Sequence, residues 1–229
     1  MNFKKIALAG LMAMTPFTSF AGEMSDDPLL TMVKVDKLEF RDSDEGTLLV
    51  WEVDAWMGKD LNKFWLKLTG ESVDGAVESN EVDLLYSRAI APFWDVQFGL
   101  RHEFKPEPSV DWVGIGFMGV APYLFEVDAN VFINEDGVIN TRIDAEYEYM
   151  FTQKLVLVPN LGMSIYSDDD NARGIVSGLE SAELGLRLHY EIKREFSPYI
   201  GINFEKKFGN SIVQESSESQ LVAGVSFWF

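Results

Sequence analysis

The sequence contains no cysteine in 229 residues, which rules out both a disulfide framework and a thiolate metal site. Histidine is nearly absent as well, His102 and His189 being the only two. Basic charge is scarce: 19 Lys and Arg stand against 37 Asp and Glu, for a formal net charge of −18. So acidic a chain is a poor partner for nucleic acid or for an anionic membrane surface and a good one for cations. After residue 21 no apolar run approaches the roughly 18 residues that a membrane-crossing helix needs. Beyond that point the chain meets a bilayer as strands or not at all.

The first residues, MNFKKIALAGLMAMTPFTSFAGE, place Lys4 and Lys5 ahead of an apolar stretch from Ile6, with the small residues Ser19 and Ala21 before a cut. That order predicts a secretory signal peptide over residues 1–21. Thr15, Pro16, Thr18 and Ser19 interrupt the stretch too early for a retained anchor of about 18–20 residues. The removed piece carries two lysines and no acid, so 208 residues remain and the net charge moves from −18 to −20. Residues 22–28 then make a short N-terminal segment ahead of the folded part, 29–229.

What is present in that part is a period of two. In AELGLRLHYE (182–191), Leu184, Leu186, Leu188 and Tyr190 take one face while Glu183, Gly185, Arg187, His189 and Glu191 take the other. A helix would not sort these residues so. The same sorting runs through YLFEVDANVFI (123–133) and VINTRIDAEYEY (138–149), which place Glu126 and Asp128, then Asp144, Glu146 and Glu148, on one polar face. Alternation alone fits a soluble sandwich as well as a transmembrane barrel.

Three features favour the barrel. Twelve strand cores are expected, at 29–40, 47–57, 62–71, 78–90, 93–104, 109–120, 123–133, 138–149, 154–166, 179–191, 198–207 and 219–229, an even number as closure asks. Every second connection is brief, while the alternate ones tend to be longer and more polar, above all 167–178. Aromatic residues gather at the ends joined by the brief turns: Phe93, Trp94, Tyr123, Tyr147, Tyr149, Phe151, Tyr190, Tyr199, Trp228 and Phe229. The expectation is an all-β, antiparallel transmembrane β-barrel of about twelve strands in the outer membrane, in contact with its lipid. Its last strand, ending on Phe229, resembles the closing strand of outer-membrane barrels, and that resemblance implies recognition by the barrel-assembly machinery.

Longer runs carry a narrower resemblance. DDPLLTMVKVDKLEF (26–40), KDLNKFWLKLTGE (59–71), LLYSRAIAPFWDVQFGLRHEF (84–104), APYLFEVDANVFI (121–133) and LGLRLHYEIKREFSPYIGINFEKKFG (184–209) are similar to the copper resistance protein B family of outer-membrane proteins. The resemblance implies a barrel that binds copper ions transiently or passes them across the outer membrane, with a periplasmic multicopper oxidase as partner and no organic cofactor. Members of that family commonly carry a Met- and His-rich segment ahead of the barrel; here GEMSDD, with Met24, stands in that place.

If Phe229 faces lipid, parity carried back strand by strand turns a net acidic set toward the lumen. It comprises Glu52, Asp54, Asp83, Asp95, Glu103, Glu126, Asp128, Asp144, Glu146, Glu148, Glu183, Glu191 and Glu205, against Lys67, Arg101, Arg142, Arg187 and Lys207. Such a lumen either attracts cations or is filled by cross-strand ion pairs. Copper(I) prefers thioethers and accepts imidazole, and Met32, Met118 and His189 share lumen parity near the brief-turn ends of strands one, six and ten. His102 has lipid parity opposite Asp111, the setting of a surface pair that secures a hairpin. A general small-solute porin is the first alternative. A barrel lipase or protease is the second, and it lacks a serine in reach of either histidine: Ser109 lies about two cross-strand positions from His102. The chain is read as not an enzyme.

Overall fold

The structure, a computed structural model, describes residues 27–43, 46–209 and 215–229. The signal peptide at 1–21 and Met24 lie outside the described residues. The strands are β1 (Leu30–Ser43), β2 (Gly46–Gly58), β3 (Asn62–Val73), β4 (Ala76–Ala91), β5 (Trp94–Lys105), β6 (Val110–Ala121), β7 (Phe125–Asn134), β8 (Ile139–Tyr147), β9 (Tyr149–Met150), β10 (Leu155–Tyr166), β11 (Gly178–Tyr190), β12 (Phe196–Lys207) and β13 (Ser216–Trp228). Apart from β8 and β9, which both pair with β10, each pairs antiparallel with its neighbours in sequence, and β13 pairs with β1. The sheet therefore closes on itself and leaves no open edge.

β8 and β9 form a single stave, since both pair with β10. That makes twelve staves, one for each expected strand core. Residues 138–149 read as one strand in the sequence; the ladder breaks at Glu148 because Pro159 of β10 lies across from the gap and has no N–H to donate.

The pattern of exposure decides between barrel and sandwich. Outward-facing Leu221 is 67% exposed and Leu84 58%, whereas inward-facing Glu39 is fully buried and Arg187 is 3% exposed. Apolar side chains face out and charges face in, the reverse of a soluble sandwich. The exposed belt continues through Phe98, Leu100, Val113, Ile115, Ile200 and Phe204.

Both described chain ends, with the turns 59–61, 92–93, 122–124, 151–154 and 191–195, lie at one end of the barrel, called here the terminal end. The opposite, loop end carries 106–109, 135–138 and 167–177, with 208–209 and 215. It also carries one hairpin as tight as any at the terminal end. The segment 72–77, expected as a loop, pairs through Val73 and Ala76 around Asp74 and Gly75. Both turn residues have positive φ, 48° and 86°, as a type I′ turn requires. The expected asymmetry of connections thus holds only from β5 onward.

Tyr199 and the second half of β1 depart from the expected faces. Tyr199 does not join the aromatic girdle: it is 4% exposed and points inward. Phe93, Tyr123, Tyr149, Phe151, Tyr190, Trp228 and Phe229 are exposed at the terminal end. In β1 a bulge follows Val35: Val35 stands opposite Val53 and Lys37 opposite Glu52, so Asp36 is the extra residue. The bulge flips the parity of everything beyond it. Lys34 and Asp36 face the lumen before it, and Lys37, Glu39 and Arg41 face the lumen after it.

Leu84 lies midway along β4, directly opposite Leu100 on the outer face. Leu84→Arg is expected to destabilise the barrel by about 2–4 kcal/mol if that face meets hydrocarbon. Urea unfolding of the barrel refolded in lipid vesicles measures this; an unchanged midpoint would argue against a membrane-facing belt.

Candidate functional site

Among the described residues the lumen is where this fold gathers charged side chains, and it is organised in tiers. Its middle is crossed by buried ion pairs. Arg187 grips Glu39 with two bonds, Nε to Oε2 at 2.9 Å and Nη2 to Oε1 at 2.7 Å. Arg41 Nε donates to the same carboxylate at 2.7 Å and the Tyr199 hydroxyl donates at 2.9 Å. Arg41 then reaches Glu183 at 3.3 Å, and Arg187 Nη1 donates to Asn160 at 2.5 Å. A carboxylate with this many donors has its lone pairs satisfied, and that is the condition under which a buried charge is tolerated.

A second network lies toward the loop end. Arg101 holds Asp83 with two 2.7 Å bonds and stacks its guanidinium 3.9 Å from the Phe132 ring centroid. Arg142 reaches across from β8 to Glu81 at 2.5 Å and Glu103 at 3.1 Å. Arg173, carried by the 167–177 loop, turns inward to bond the other oxygen of Glu103 and, at 3.4 Å, the carbonyl of Pro106. Ile175 of the same loop packs with Trp112, Phe132 and Tyr166 inside the barrel wall. The long loop therefore folds into the mouth.

Three cavities follow one another along the axis. A loop-end cavity of about 460 Å³ is lined by Glu71, Glu81, Glu103, Arg142, Arg173 and Glu183 among others. A central one of about 260 Å³ shares Glu71, Glu81, Arg142 and Glu183 with it. A terminal-end cavity of about 400 Å³ shares Lys37, Glu52, Lys67 and Asp128 with the central one. Asp144 lines all three.

The terminal-end cavity brings together Met32 and Met118, two of the three soft donors expected from the sequence, with Trp56, Trp65 and seven carboxyl groups. Its three lysines are each engaged: Lys34 with Asp36 at 2.7 Å, Lys37 with Glu52 at 2.8 Å, and Lys67 with Asp128 at 2.5 Å. The last pair joins β3 to β7 across the lumen. Asp54, Glu126, Asp144 and Glu146 have no ion-pair partner among the described residues.

His189, the third expected donor, is not among the residues lining that cavity. Its ring stacks on Tyr199 with centroids 4.4 Å apart, and Nδ1 lies 3.4 Å from Ser197 Oγ. Cross-strand counting did not find this Ser–His contact; no carboxylate hydrogen-bonds the ring among the described residues. Glu183 belongs to the central network, and Glu148 sits exposed at the break between β8 and β9. His102 Nδ1 is 2.6 Å from Asp111 on the outer surface. Among the described residues no group of three or more His, Asp or Glu side chains is arranged to hold a metal ion.

Sequence reading missed Glu39 and Arg41 because the β1 bulge flips their parity. The signal was there: Asp36 and Lys37 are adjacent charges in the middle of the strand. Arg173 lay in a loop, where parity says nothing. Glu39→Ala strands Arg41 and Arg187 in the buried network and is expected to cost about 3–5 kcal/mol. Urea unfolding in vesicles tests this; a loss under about 1 kcal/mol would mean that water replaces the carboxylate at little cost.

A closed antiparallel barrel with an apolar outer belt and a charged lumen defines an outer-membrane β-barrel fold. Solved structures agree. The NanC porin matches at a TM-score of 0.56 and 13% identity, over 86% of this chain and 99% of that one. The KdgM porin matches at 0.51 and 10%, over 87% and 99%. Outer membrane phospholipase A from Escherichia coli matches at 0.52 and 13%, over 86% and 92%. At these identities the likeness is one of fold, and a fold shared by porins and a phospholipase does not assign an activity.

The sequence comparisons are narrower. Residues 29–229 match the family described as "Copper resistance protein B precursor (CopB)". Copper resistance protein B of Escherichia coli is 37% identical over 210 residues, 89% of this chain and 71% of the relative. The copper resistance protein B homolog of Pseudomonas syringae pv. tomato is 33% identical over 220 residues, 93% of this chain and 75% of the relative. This chain belongs to the copper resistance protein B family.

Proposed function

We propose that the protein works in copper resistance by taking copper ions into its lumen and passing them across the outer membrane. The observation that carries this reading is the run of three wall-sharing cavities, joined by Asp144, whose terminal-end member holds two thioethers and four carboxyl groups that form no ion pair among the described residues. Acidic walls draw cations in, and thioethers offer copper a ligand that calcium and magnesium do not use. With the short turns and Phe229 on the periplasmic side, the methionine-bearing cavity opens toward the periplasm, where a multicopper oxidase is the fitting recipient.

The wide-pore porin reading is disfavoured by the ion pairs that cross the lumen, Lys67–Asp128 and Arg142–Glu81. A hydrolase is disfavoured because, among the described residues, no carboxylate hydrogen-bonds His189 to orient it. We read the protein as non-enzymatic.

Vesicles carrying the barrel and a trapped copper-sensitive dye test the proposal. Replacing Asp54, Asp144 and Glu146 together by their amides is expected to slow copper entry about tenfold, as a loss of about 1.4 kcal/mol of cation attraction would. Equal entry rates in the two barrels would overturn the acidic path. A deletion strain whose copper tolerance is unchanged would overturn the physiological role.

A further inference from the structure

The terminal-end cavity has a feature that an acidic path does not require. Most inward positions of this barrel are polar, yet Met32, Trp56 and Trp65 form an inward row on three adjacent staves. Met32 of β1 stands opposite Trp56 of β2, and Trp56 opposite Trp65 of β3. The two indoles lie 6.0 Å apart, tilted by 42°. Met118 closes the same cavity from β6.

We infer that this row is a binding station for a soft monovalent cation, copper(I) or silver(I), held by the thioethers of Met32 and Met118 against the indole faces of Trp56 and Trp65. The inference rests on the copper reading above and narrows it to one oxidation state and one compartment. Four observations carry it. Both indoles already take cations on their faces: Lys63 Nζ is 5.8 Å from the Trp56 ring and Lys67 Nζ is 5.8 Å from the Trp65 ring. Trp65 Nε1 is buried yet makes no hydrogen bond among the described residues, so the ring is not held there by its polar edge. Fully buried Gln97 sets its amide 3.8 Å from the Met118 sulfur, fixing that side chain at the wall. Neither histidine lines the cavity, so the imidazole that copper(II) and zinc favour is missing from its walls.

The chemistry separates the ligands by class. Carboxyl groups attract any cation. Neutral sulfur donors and π faces favour a large, polarisable, weakly hydrated one. The cavity thus combines a general attraction with a selective contact.

Silver(I) is the probe, because it shares the soft chemistry of copper(I) without needing a reductant. The full barrel, refolded in detergent, is titrated with silver nitrate while tryptophan emission is recorded. Saturable quenching is expected, and it should disappear in the Trp56→Phe/Trp65→Phe double variant although four other tryptophans remain. The Met32→Leu/Met118→Leu double variant should bind silver at least about tenfold more weakly. Calcium and zinc should give no saturable quenching.

Leu replaces Met at nearly constant volume, and heat-modified gel mobility verifies that each variant has folded. Silver affinity unchanged in a folded methionine variant would overturn the station, as would zinc quenching as strong as that of silver. Copper entry is read separately in vesicles. Silver binding without entry supports the station and removes the passage reading; entry with no methionine-dependent silver binding does the opposite.

Discussion

Everything in this molecule depends on the closed backbone ladder. Inside hydrocarbon an unpaired N–H or C=O costs several kcal/mol, so a sheet in a bilayer must close. The β13–β1 pairing does this. Closure leaves each side chain only two destinations, lipid or lumen. Leu84, Leu100, Ile200 and Leu221 go to lipid, and the lumen inherits the charges.

That inheritance sets the problem the interior solves. Carboxylates far outnumber basic groups along the chain, so the lumen needs its arginines placed with care. Glu39, gripped by Arg187, Arg41 and Tyr199, and Glu103, shared by Arg142 and Arg173, are two nodes where one carboxylate meets more than one cationic side chain. The first stiffens and narrows the middle of the barrel, the second its loop end. Between and beyond them lie the cavities, so a plugged lumen and a cation path are two aspects of one arrangement. Structural ion pairs consume part of the acid, and Asp54, Glu126, Asp144 and Glu146 remain for a guest.

The sequence made the staves legible because lipid on one side and water on the other enforce a strict period of two. Parity carried back from Phe229 turned Glu126, Asp128, Asp144, Glu146 and Glu183 inward, and the structure places each of them on the lumen side. It failed at Glu39 and Arg41, where one extra residue at Asp36 shifts the register. It also failed for Tyr199, taken for a girdle ring because of its position near a strand end, although its parity matches that of Glu205. Arg173 was beyond reach because a loop has no period. The indole row of Trp56 and Trp65 needed the register between β1, β2 and β3, which no single strand reveals.

The account stands most directly on where copper or silver sits inside the barrel. Anomalous diffraction from crystals soaked in silver(I) or in copper(I) locates the ion without reference to activity. The predicted result is a peak in the terminal-end cavity within bonding reach of the Met32 or Met118 sulfur and against Trp56 or Trp65. Peaks confined to the outer loops, or a lumen with none, would contradict it.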